Sequence, residues 1–242
     1  MSTNDTDTIS KSNSWKMFDD ISPKYDFLNH VLSFGLDILW RRQLAQFLPL
    51  KRRQKILDLA TGTGDVLISM FQNNPNVQSG CGVDLAGKMM EIGRKKIADK
   101  DLESQITLHH GDAHQIPFND HTFDTVSIAF GIRNMQNHSL VLTEMYRVLN
   151  KGGRVLVLEF SLPQNPIIRG LHIFYLRHIV PLIGAVLSRY YQAYKYLNKT
   201  IEAFPYGDEF CSLMKKAGFQ NTKASSLFFG VATIYQGDKL EK

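Results

Sequence analysis

The sequence predicts an α/β fold built on a doubly wound, mostly parallel sheet of seven strands. Short apolar runs alternate with segments of helical periodicity from Ile56 to Phe160, which is the pattern of repeated strand–helix units. The first of these runs leads into a glycine turn, Gly62-Thr63-Gly64, and then into a helical segment, as at the ligand-binding edge of such sheets. Two further apolar runs, over residues 222–227 and 231–235, predict the strands that close the sheet.

The first 50 residues come before this alternation. Residues 1–14 are polar and lack the apolar core of a signal peptide, so we expect a disordered tail. Residues 15–50 predict an N-terminal helical cap that ends near Pro49. Because the sequence shows neither a linker nor an internal repeat, we expect residues 15–242 to form a single domain.

Three of the predicted strands end in an acidic residue. The apolar runs stop at Asp58, at Asp84 and at Asp112. Since the carboxyl ends of parallel strands meet at one edge of a sheet, we expect these carboxylates to lie close together. The last two parallel strands and the helix between them are predicted over residues 123–130, 154–160 and 139–149.

Residues 163–206 break the alternation and carry apolar side chains near helical spacing. We expect a helical insertion after the fifth strand that acts as a lid, with most of its side chains packed on the domain. Aromatic rings with polar tips also suit an apolar substrate channel. The candidates for that channel are Phe174, Tyr175, Tyr190, Tyr191, Tyr194 and Tyr196. One more helix is predicted over residues 206–218.

The glycine turn indicates an adenosine ligand. Gly62 and Gly64 can adopt left-handed dihedrals, and Asp84 follows at about the 20-residue spacing of a ribose-binding carboxylate. A dinucleotide site has a third glycine, which is missing here, and Asp65 at the start of the helix would repel a pyrophosphate. A cationic ligand, S-adenosylmethionine, is therefore favoured over NAD. The alternative that Asp65 only caps the helix dipole stays open.

Composition narrows the class of protein further. The only cysteines, Cys81 and Cys211, give no disulfide framework and favour a reducing cytoplasm. The net charge is +5, part of it over residues 51–55, where a solvated surface is favoured over contact with anionic lipid. No interleaved aromatic residues accompany these charges, so we expect no nucleic acid partner. The eight histidines show no metal-ligand spacing, so we expect no metal.

Several segments together resemble the class I S-adenosylmethionine-dependent methyltransferases. More narrowly, the chain is similar to the quinone C-methyltransferases of ubiquinone and menaquinone biosynthesis. The segments that carry the resemblance are residues 18–29, 57–65, 130–134, 145–149, 158–161 and 217–219. The pairing of Tyr-Asp-Phe-Leu-Asn at 25–29 with Phe-Gly-Ile-Arg-Asn at 130–134 is the most specific. The resemblance implies a Rossmann-like methyltransferase fold.

The resemblance implies methyl transfer from S-adenosylmethionine to a ring carbon of a polyprenylated hydroquinone. Demethylmenaquinol is favoured, because His30-Val31-Leu32 continues the 25–29 segment as in some menaquinone-type relatives. The benzoquinol of ubiquinone biosynthesis remains the alternative. A nicotinamide-dependent oxidoreductase and a non-catalytic binding module are more distant alternatives.

The family's cofactor contacts fall on four residues of this chain. The resemblance implies that Thr63 binds the methionyl end, Asp84 the ribose hydroxyls, and Asp112 with Ala113 the adenine. The strand-end carboxylate Asp58 and the two glycines of the turn complete the expected cofactor site. One departure is visible, because Ala129 stands where the family often has a serine before Phe-Gly-Ile-Arg-Asn, and a hydroxyl contact is lost.

The expected catalytic residues are Arg133, Asn134 and Tyr25. An arginine stays protonated, so Arg133 could stabilise a phenolate or orient a water that takes the proton. Against these roles stand plainer ones, a loop-anchoring ion pair for Arg133 and a packed helix residue for Tyr25. His114 is a further candidate base.

No apolar run reaches the roughly 20 residues that span a bilayer. We therefore expect a cytoplasmic protein, with peripheral contact at the inner face of the cell membrane and a homodimer as further expectations.

Overall fold

A computed structural model describes residues 11–183 and 191–241 of the chain. Its centre is one sheet of seven strands in the order β3-β2-β1-β4-β5-β7-β6. The five strands from β3 to β5 are parallel, and β7 runs antiparallel to both of its neighbours. The strands are β1 Gln54–Leu59, β2 Val77–Asp84, β3 Ile106–His110, β4 Phe123–Ala129, β5 Leu149–Phe160, β6 Gln220–Leu227 and β7 Ala232–Asp238. The predicted fold class is confirmed.

Eight named helices surround this sheet within the described ranges. They are α1 Ser14–Leu32, α2 Leu36–Gln46, α3 Asp65–Asn73, α4 Gly87–Ala98, α5 His138–Val148, α6 Pro166–Phe174, α7 Tyr191–Ala203 and α8 Asp208–Lys216. Two of them precede the sheet, and α6 and α7 form the insertion after β5. A π-helical turn, Tyr175–Ile179, continues α6, and the helix runs on through residues 180–183.

The start of the chain corrects one expectation. Lys11–Asn13 form a 3₁₀ turn and α1 begins at Ser14, so residues 11–14 do not belong to a disordered tail. The Lys11 ammonium donates to the carbonyl of Met135, 3.2 Å away, which fixes the turn against the loop after β4. Residues 1–10 lie outside the described ranges.

The strand β5 is longer than the sequence predicts. Phe123 of β4 pairs with Leu149, but Thr125 pairs with Arg154, so residues 150–153 form a bulge inside β5. The two glycines of this segment serve the bulge. Gly152 has a φ of +73°, and a Cβ on Gly153 would lie 2.9 Å from the carbonyl oxygen of Asp124.

The sheet order creates a crevice between β1 and β4. From β1 the chain adds β2 and β3 on one side, and then crosses to add β4 and β5 on the other. Ligands bind at this point of reversal in doubly wound sheets, beyond the carboxyl ends of the strands. The strand β1 is fully buried at Ile56, Leu57 and Leu59, because it lies in the middle of the sheet and is covered on both faces.

The first helix crosses the carboxyl edge of the sheet. Asp26 of α1 accepts a hydrogen bond from the hydroxyl of Thr63, at 2.8 Å, and pairs with Lys96 of α4 at 2.7 Å. Asp19, which lies about two turns before Asp26 in α1, accepts a hydrogen bond from the backbone amide of Lys88 at 2.9 Å. These contacts hold α1 as a cover over the crevice.

Candidate active site

Two adjoining cavities occupy the crevice. The first has a volume of about 210 Å³ and lies against the glycine turn. The second has a volume of about 340 Å³ and lies between α1, α2, β5 and the insertion. Phe18, Tyr25 and Phe130 line both cavities and mark their junction. A donor in the first cavity and an acceptor in the second would therefore meet beside Tyr25.

The glycine turn forms one wall of the first cavity. Gly62 has a φ of +55°, and its amide donates to Oδ2 of Asp84 at 2.8 Å. A Cβ on Gly62 would lie 3.0 Å from the Met89 methyl group, so the close approach also favours glycine. Two neighbours that are not glycine, Ala60 and Phe130, also have left-handed backbones, with φ of 48° and 54°. Such strain clusters at functional sites, and both residues line the cavity.

Asp84 lies at the end of β2 and lines the first cavity. Its Oδ1 accepts from the amide of Ala86, at 2.8 Å, while Oδ2 accepts from Gly62. Burial raises the pKa of Asp84, and these backbone donors oppose the shift. Each carboxylate oxygen keeps a second lone pair, so the residue can accept hydrogen bonds from a pair of ribose hydroxyls.

The opposite end of the first cavity is formed after β3. Asp112 and Ala113 line it, as does His114. Oδ1 of Asp112 accepts from the backbone amide of His114 at 2.8 Å and lies 2.7 Å from its Nδ1, which leaves Oδ2 for an adenine amino group. His114 belongs to this end of the site and not to the second cavity, so its position does not suit a base acting on the acceptor.

Three other predicted residues of the turn region lie outside the cavity lining. Thr63 is buried, with its hydroxyl bonded to Asp26 and to Lys96, and Gly64, at a φ of +77°, begins α3. Asp58 is buried under β4, where it accepts from Ser127 at 2.7 Å, and burial raises the pKa of Asp58 to about 7.

The expectation that the charge of Asp65 acts on the bound ligand is wrong. Its carboxylate pairs with Lys96 at 2.5 Å and with Arg41 at 3.2 Å, so its charge is neutralised away from the cavity. The position still suits the positive end of the α3 dipole.

The second cavity has largely apolar walls. Trp40, Phe130 and Phe160 pack against one another, with ring centroids 4.6 to 6.1 Å apart. The insertion contributes Tyr175 and Tyr196 of the predicted aromatic set. Phe174 instead lies exposed, Tyr190 lies outside the described residues, and the side chains of Tyr191 and Tyr194 are likewise outside them.

Arg133, which lines the second cavity, belongs to a buried ion pair. Nη1 of Arg133 lies 2.7 Å from Oε1 of Glu159, and donates to the carbonyl of Phe130 at 2.5 Å. The guanidinium carbon lies 5.3 Å from the centroid of the Phe160 ring. Glu159, at the end of β5, was not among the predicted site residues, although an acid in an apolar strand run is the signal that marks it.

Polar atoms without partners surround the two cavities. Among the described residues, Nε of Arg133, Oδ1 of Asn134 and Nε2 of His172 are buried and have no hydrogen-bond partner within the protein. Arg133 and His172 line the second cavity, and Asn134 lines the first. Buried polar groups are normally hydrogen-bonded, so these atoms fit a site that a ligand completes. His172 was missed by sequence reasoning, because its setting depends on how α6 packs.

Tyr25 has its place between the cavities. It lines both of them, and its ring lies 5.9 Å from that of Phe18. Burial raises the pKa of Tyr25, while Asn29 and the charge of Arg133 oppose the shift. The phenol is therefore protonated at neutral pH and can donate a hydrogen bond.

Comparisons with known proteins decide the family. Residues 6–239 match the model of the ubiE/COQ5 methyltransferase family. The chain belongs to this family. The first cavity fits the family's cofactor, S-adenosylmethionine. It offers one carboxylate for the ribose and another for the adenine, and a glycine turn beside which the methionyl group has room. The protein is an S-adenosylmethionine-dependent methyltransferase.

Individual relatives agree with the family model. A ubiquinone/menaquinone biosynthesis C-methyltransferase from Geotalea daltonii is 44% identical over 93% of this chain and 95% of its own length. A demethylmenaquinone methyltransferase from Porphyromonas gingivalis is 42% identical over 92% of this chain and 91% of its own. A crystal structure of a methyltransferase from Thermotoga maritima covers 93% of this chain and 99% of its own, with a TM-score of 0.66 at 21% identity, and shows the same fold.

Neither a metal-ligand cluster nor a membrane-spanning helix occurs among the described residues. Within 11–183 and 191–241 there is no group of three or more side chains placed to hold a metal ion. In the same ranges, every helix is too short or too polar to cross a bilayer.

Proposed function

We propose that this methyltransferase acts on a ring carbon of demethylmenaquinol, the hydroquinone precursor of menaquinone. The observation that carries the proposal is the second cavity, which is largely apolar and aromatic and adjoins the cofactor cavity, with few charged side chains in its wall, namely Arg133 and the paired Asp37 and Arg41. A polyprenylated hydroquinone has the same distribution, with two oxygens on a flat ring and a long apolar tail. The Porphyromonas relative carries this activity in its name.

When bound, S-adenosylmethionine supplies a methyl group that leaves with none of the electrons of its sulfur–carbon bond. A ring carbon of the hydroquinone provides the electron pair of the new carbon–carbon bond, and the same carbon later loses its hydrogen as a proton. A ring carbon is a good nucleophile only when a neighbouring hydroxyl is losing its proton. The protein must therefore favour the phenolate.

We assign this task to Arg133. Its guanidinium lies at the wall of the second cavity, and its Nε has no partner among the described residues. A buried cation stabilises an adjacent phenolate strongly, because little water screens it. The pair with Glu159 holds the guanidinium in place, and a water beside Arg133 can take the phenolic proton. We assign to Asn134 the orientation of the cofactor, from its place in the wall of the first cavity. We assign to the Tyr25 phenol a hydrogen bond donated to an oxygen of the quinol ring.

The cofactor contacts follow from the first cavity. Asp84 would hold the ribose hydroxyls, and Asp112 with Ala113 the adenine, since all three line this cavity. Gly62, Thr63 and Gly64 would form the turn that passes beneath the methionyl group. Asp58 supports this turn from below. Since Thr63 is bonded to Asp26, a contact with the methionyl group requires that this bond give way.

The ring system distinguishes the two candidate substrates. The tilted and edge-to-face rings of Phe130, Phe160 and Trp40 offer a wide aromatic wall that supports the fused naphthoquinol. The benzoquinol of ubiquinone biosynthesis remains the alternative, in agreement with the name of the Geotalea relative. The nicotinamide-dependent oxidoreductase and the non-catalytic binding module are not favoured, because the chain belongs to a methyltransferase family.

Extraction of quinones from cells that lack this protein tests the substrate. We expect the demethylated naphthoquinone to accumulate, and the wild-type gene to restore the methylated form. An Arg133→Ala gene should fail to restore it at equal protein level. Accumulation of a demethylated benzoquinone alone would move the proposal to the alternative substrate, and unchanged quinones would overturn it.

The cytoplasmic location and the homodimer remain predictions. The location is supported by the two free cysteines, which suit a reducing compartment, and neither prediction depends on the site geometry.

A further inference from the structure

The helix α6 is apolar on two faces but is covered on only one. Ile168, His172 and Tyr175 point into the second cavity at helical spacing. On the adjoining face, Ile167 and Phe174 are 73% and 57% exposed, one turn to either side of Leu171, which is 68% exposed at the cavity's edge. A helix that is apolar around most of its surface needs an apolar environment on both sides.

A pair of phenylalanines from the β6–β7 turn continues this exposed surface. Phe228 lines the second cavity and is 53% exposed, and Phe229 beside it is 72% exposed. Their φ angles are 40° and 58°, a conformation that is costly for residues with a Cβ. Phe34, at 78% exposure and a φ of 53°, lies on the rim from the α1–α2 turn, with its ring 5.8 Å from that of Tyr175. Three strained aromatic residues are thus presented to solvent around one opening.

The charge of the insertion is one-sided. Residues 163–206 contain five Lys and Arg residues and one acidic residue, Glu202, while the remainder of the chain contains 23 basic and 22 acidic residues. Most of the net charge of +5, namely +4, therefore lies in the insertion. Arg169, on α6 between Ile167 and Leu171, is exposed and forms no ion pair within the described ranges. Lys199 of α7 is exposed as well.

We propose that the insertion docks on an anionic lipid bilayer through a docking face formed by Phe34, Ile167, Leu171, Phe174, Phe228 and Phe229. The apolar side chains enter the interface, and the cations around them contact the lipid phosphates. The occupant is lipid rather than protein because the docking face surrounds the opening of an apolar cavity, the second cavity. A prenyl tail can then pass from the bilayer to the cavity without crossing water. This last step rests on the proposed function, whereas the docking itself does not.

Sedimentation of the purified full chain with lipid vesicles tests the docking. We expect binding to phosphatidylcholine vesicles that contain phosphatidylglycerol, and much weaker binding to phosphatidylcholine alone or in high salt. The variant Ile167→Ser/Phe174→Ser should weaken binding at least tenfold. Arg169→Gln should weaken it about fivefold, since one cation near an anionic surface contributes ~1 kcal/mol.

Leu50→Ser is the matched control. Leu50 is fully exposed but lies just before β1, at the opposite edge of the sheet, and should leave vesicle binding unchanged. If the docking-face variant binds vesicles as the wild type does, the proposal is overturned. It is also overturned if the wild type is a dimer, the docking-face variant is a monomer, and neither protein binds vesicles. The face would then be the contact surface for a second copy of the chain.

A second readout separates this proposal from the proposed function. Ile167 and Phe174 do not line either cavity, so the double variant should methylate a short-tailed, water-soluble hydroquinone at the wild-type rate. Its rate on a long-tailed hydroquinone in anionic vesicles should fall in proportion to vesicle binding. Vesicle binding by the wild type with no methylation of any hydroquinone would contradict the proposed function and leave the docking intact.

Discussion

Nη1 of Arg133 lies 2.7 Å from Oε1 of Glu159, and both side chains are buried beside the second cavity, which Arg133 lines. The pair joins the turn after β4 to the end of β5, so the sheet itself fixes the position of the guanidinium. Since Glu159 and the carbonyl of Phe130 both accept from Nη1, the buried Nε of Arg133 is left without a partner among the described residues. Under the proposed function, this relationship makes Glu159 a positioning residue for Arg133.

Removing the charge of Glu159 tests this relationship. Glu159→Gln should destabilise the fold by about 3–5 kcal/mol, because it leaves the Arg133 charge buried without a counterion. Urea unfolding measures the loss. The double variant Arg133→Met/Glu159→Leu should recover most of that stability while remaining inactive. A Glu159→Gln protein as stable as the wild type would refute the buried pair.

Asp84 should govern cofactor affinity. Asp84→Asn puts an NH₂ group where one oxygen now accepts from a backbone amide, at Gly62 or at Ala86, and weakens the acceptor for ribose hydroxyls. We expect S-adenosylmethionine to bind about 10- to 100-fold more weakly, from a loss of about 1.5–3 kcal/mol for hydrogen bonds to a charged group. Titration calorimetry gives the affinity. Asp99→Asn, an exposed site at the end of α4, is the control and should bind normally.

The buried Asp58 should make stability depend on pH. Burial raises its pKa to about 7 in the folded protein from 3.8, so between these values the unfolded chain releases the proton first. The contribution of Asp58 is therefore largest below pH 3.8 and is lost as the pH rises toward 7, with a slope of up to about 1.4 kcal/mol per pH unit. Urea unfolding of wild type and Asp58→Asn at several pH values isolates it. A constant difference between them across pH 4–7 would count against the raised pKa.

His172 should contribute to acceptor binding. Burial lowers its pKa, so the imidazole is neutral at physiological pH and its buried Nε2 can bond a ring oxygen. His172→Phe should raise the KM for the hydroquinone about fivefold, the equivalent of one hydrogen bond of ~1 kcal/mol, and leave the affinity for S-adenosylmethionine unchanged. His178→Phe, an exposed histidine one element further along the insertion, is the control. Equal KM values for the two variants would remove His172 from the site.

The sequence could predict which residues lie together around the first cavity. Asp84 ends β2 and Asp112 closely follows the end of the neighbouring parallel strand β3, and the ends of such strands must meet at one edge. Gly62 could be placed because a left-handed turn with a close neighbour favours glycine. Local pattern was enough in each case, since the contacts are made by strand ends and backbone.

The acceptor side could be predicted only in part. Arg133 and Glu159 are 26 residues apart, and only the pairing of β4 with β5 brings them together. The charge of Asp65 was expected to face the ligand, but Arg41 and Lys96 reach it from two other helices. Such side-chain partners depend on tertiary packing, which the periodicity of one segment does not encode.

The most direct test is methyl transfer by the purified protein. Incubated with S-adenosylmethionine that carries a labelled methyl group and with reduced demethylmenaquinol in lipid vesicles, the wild type should place the label on the naphthoquinol ring, as mass spectrometry of the extracted quinone would show. Arg133→Ala, which retains cofactor binding, should lose this transfer by a factor on the order of 10² to 10³. Label on the naphthoquinol at the same rate in both proteins, or no label with the wild type, would contradict the account.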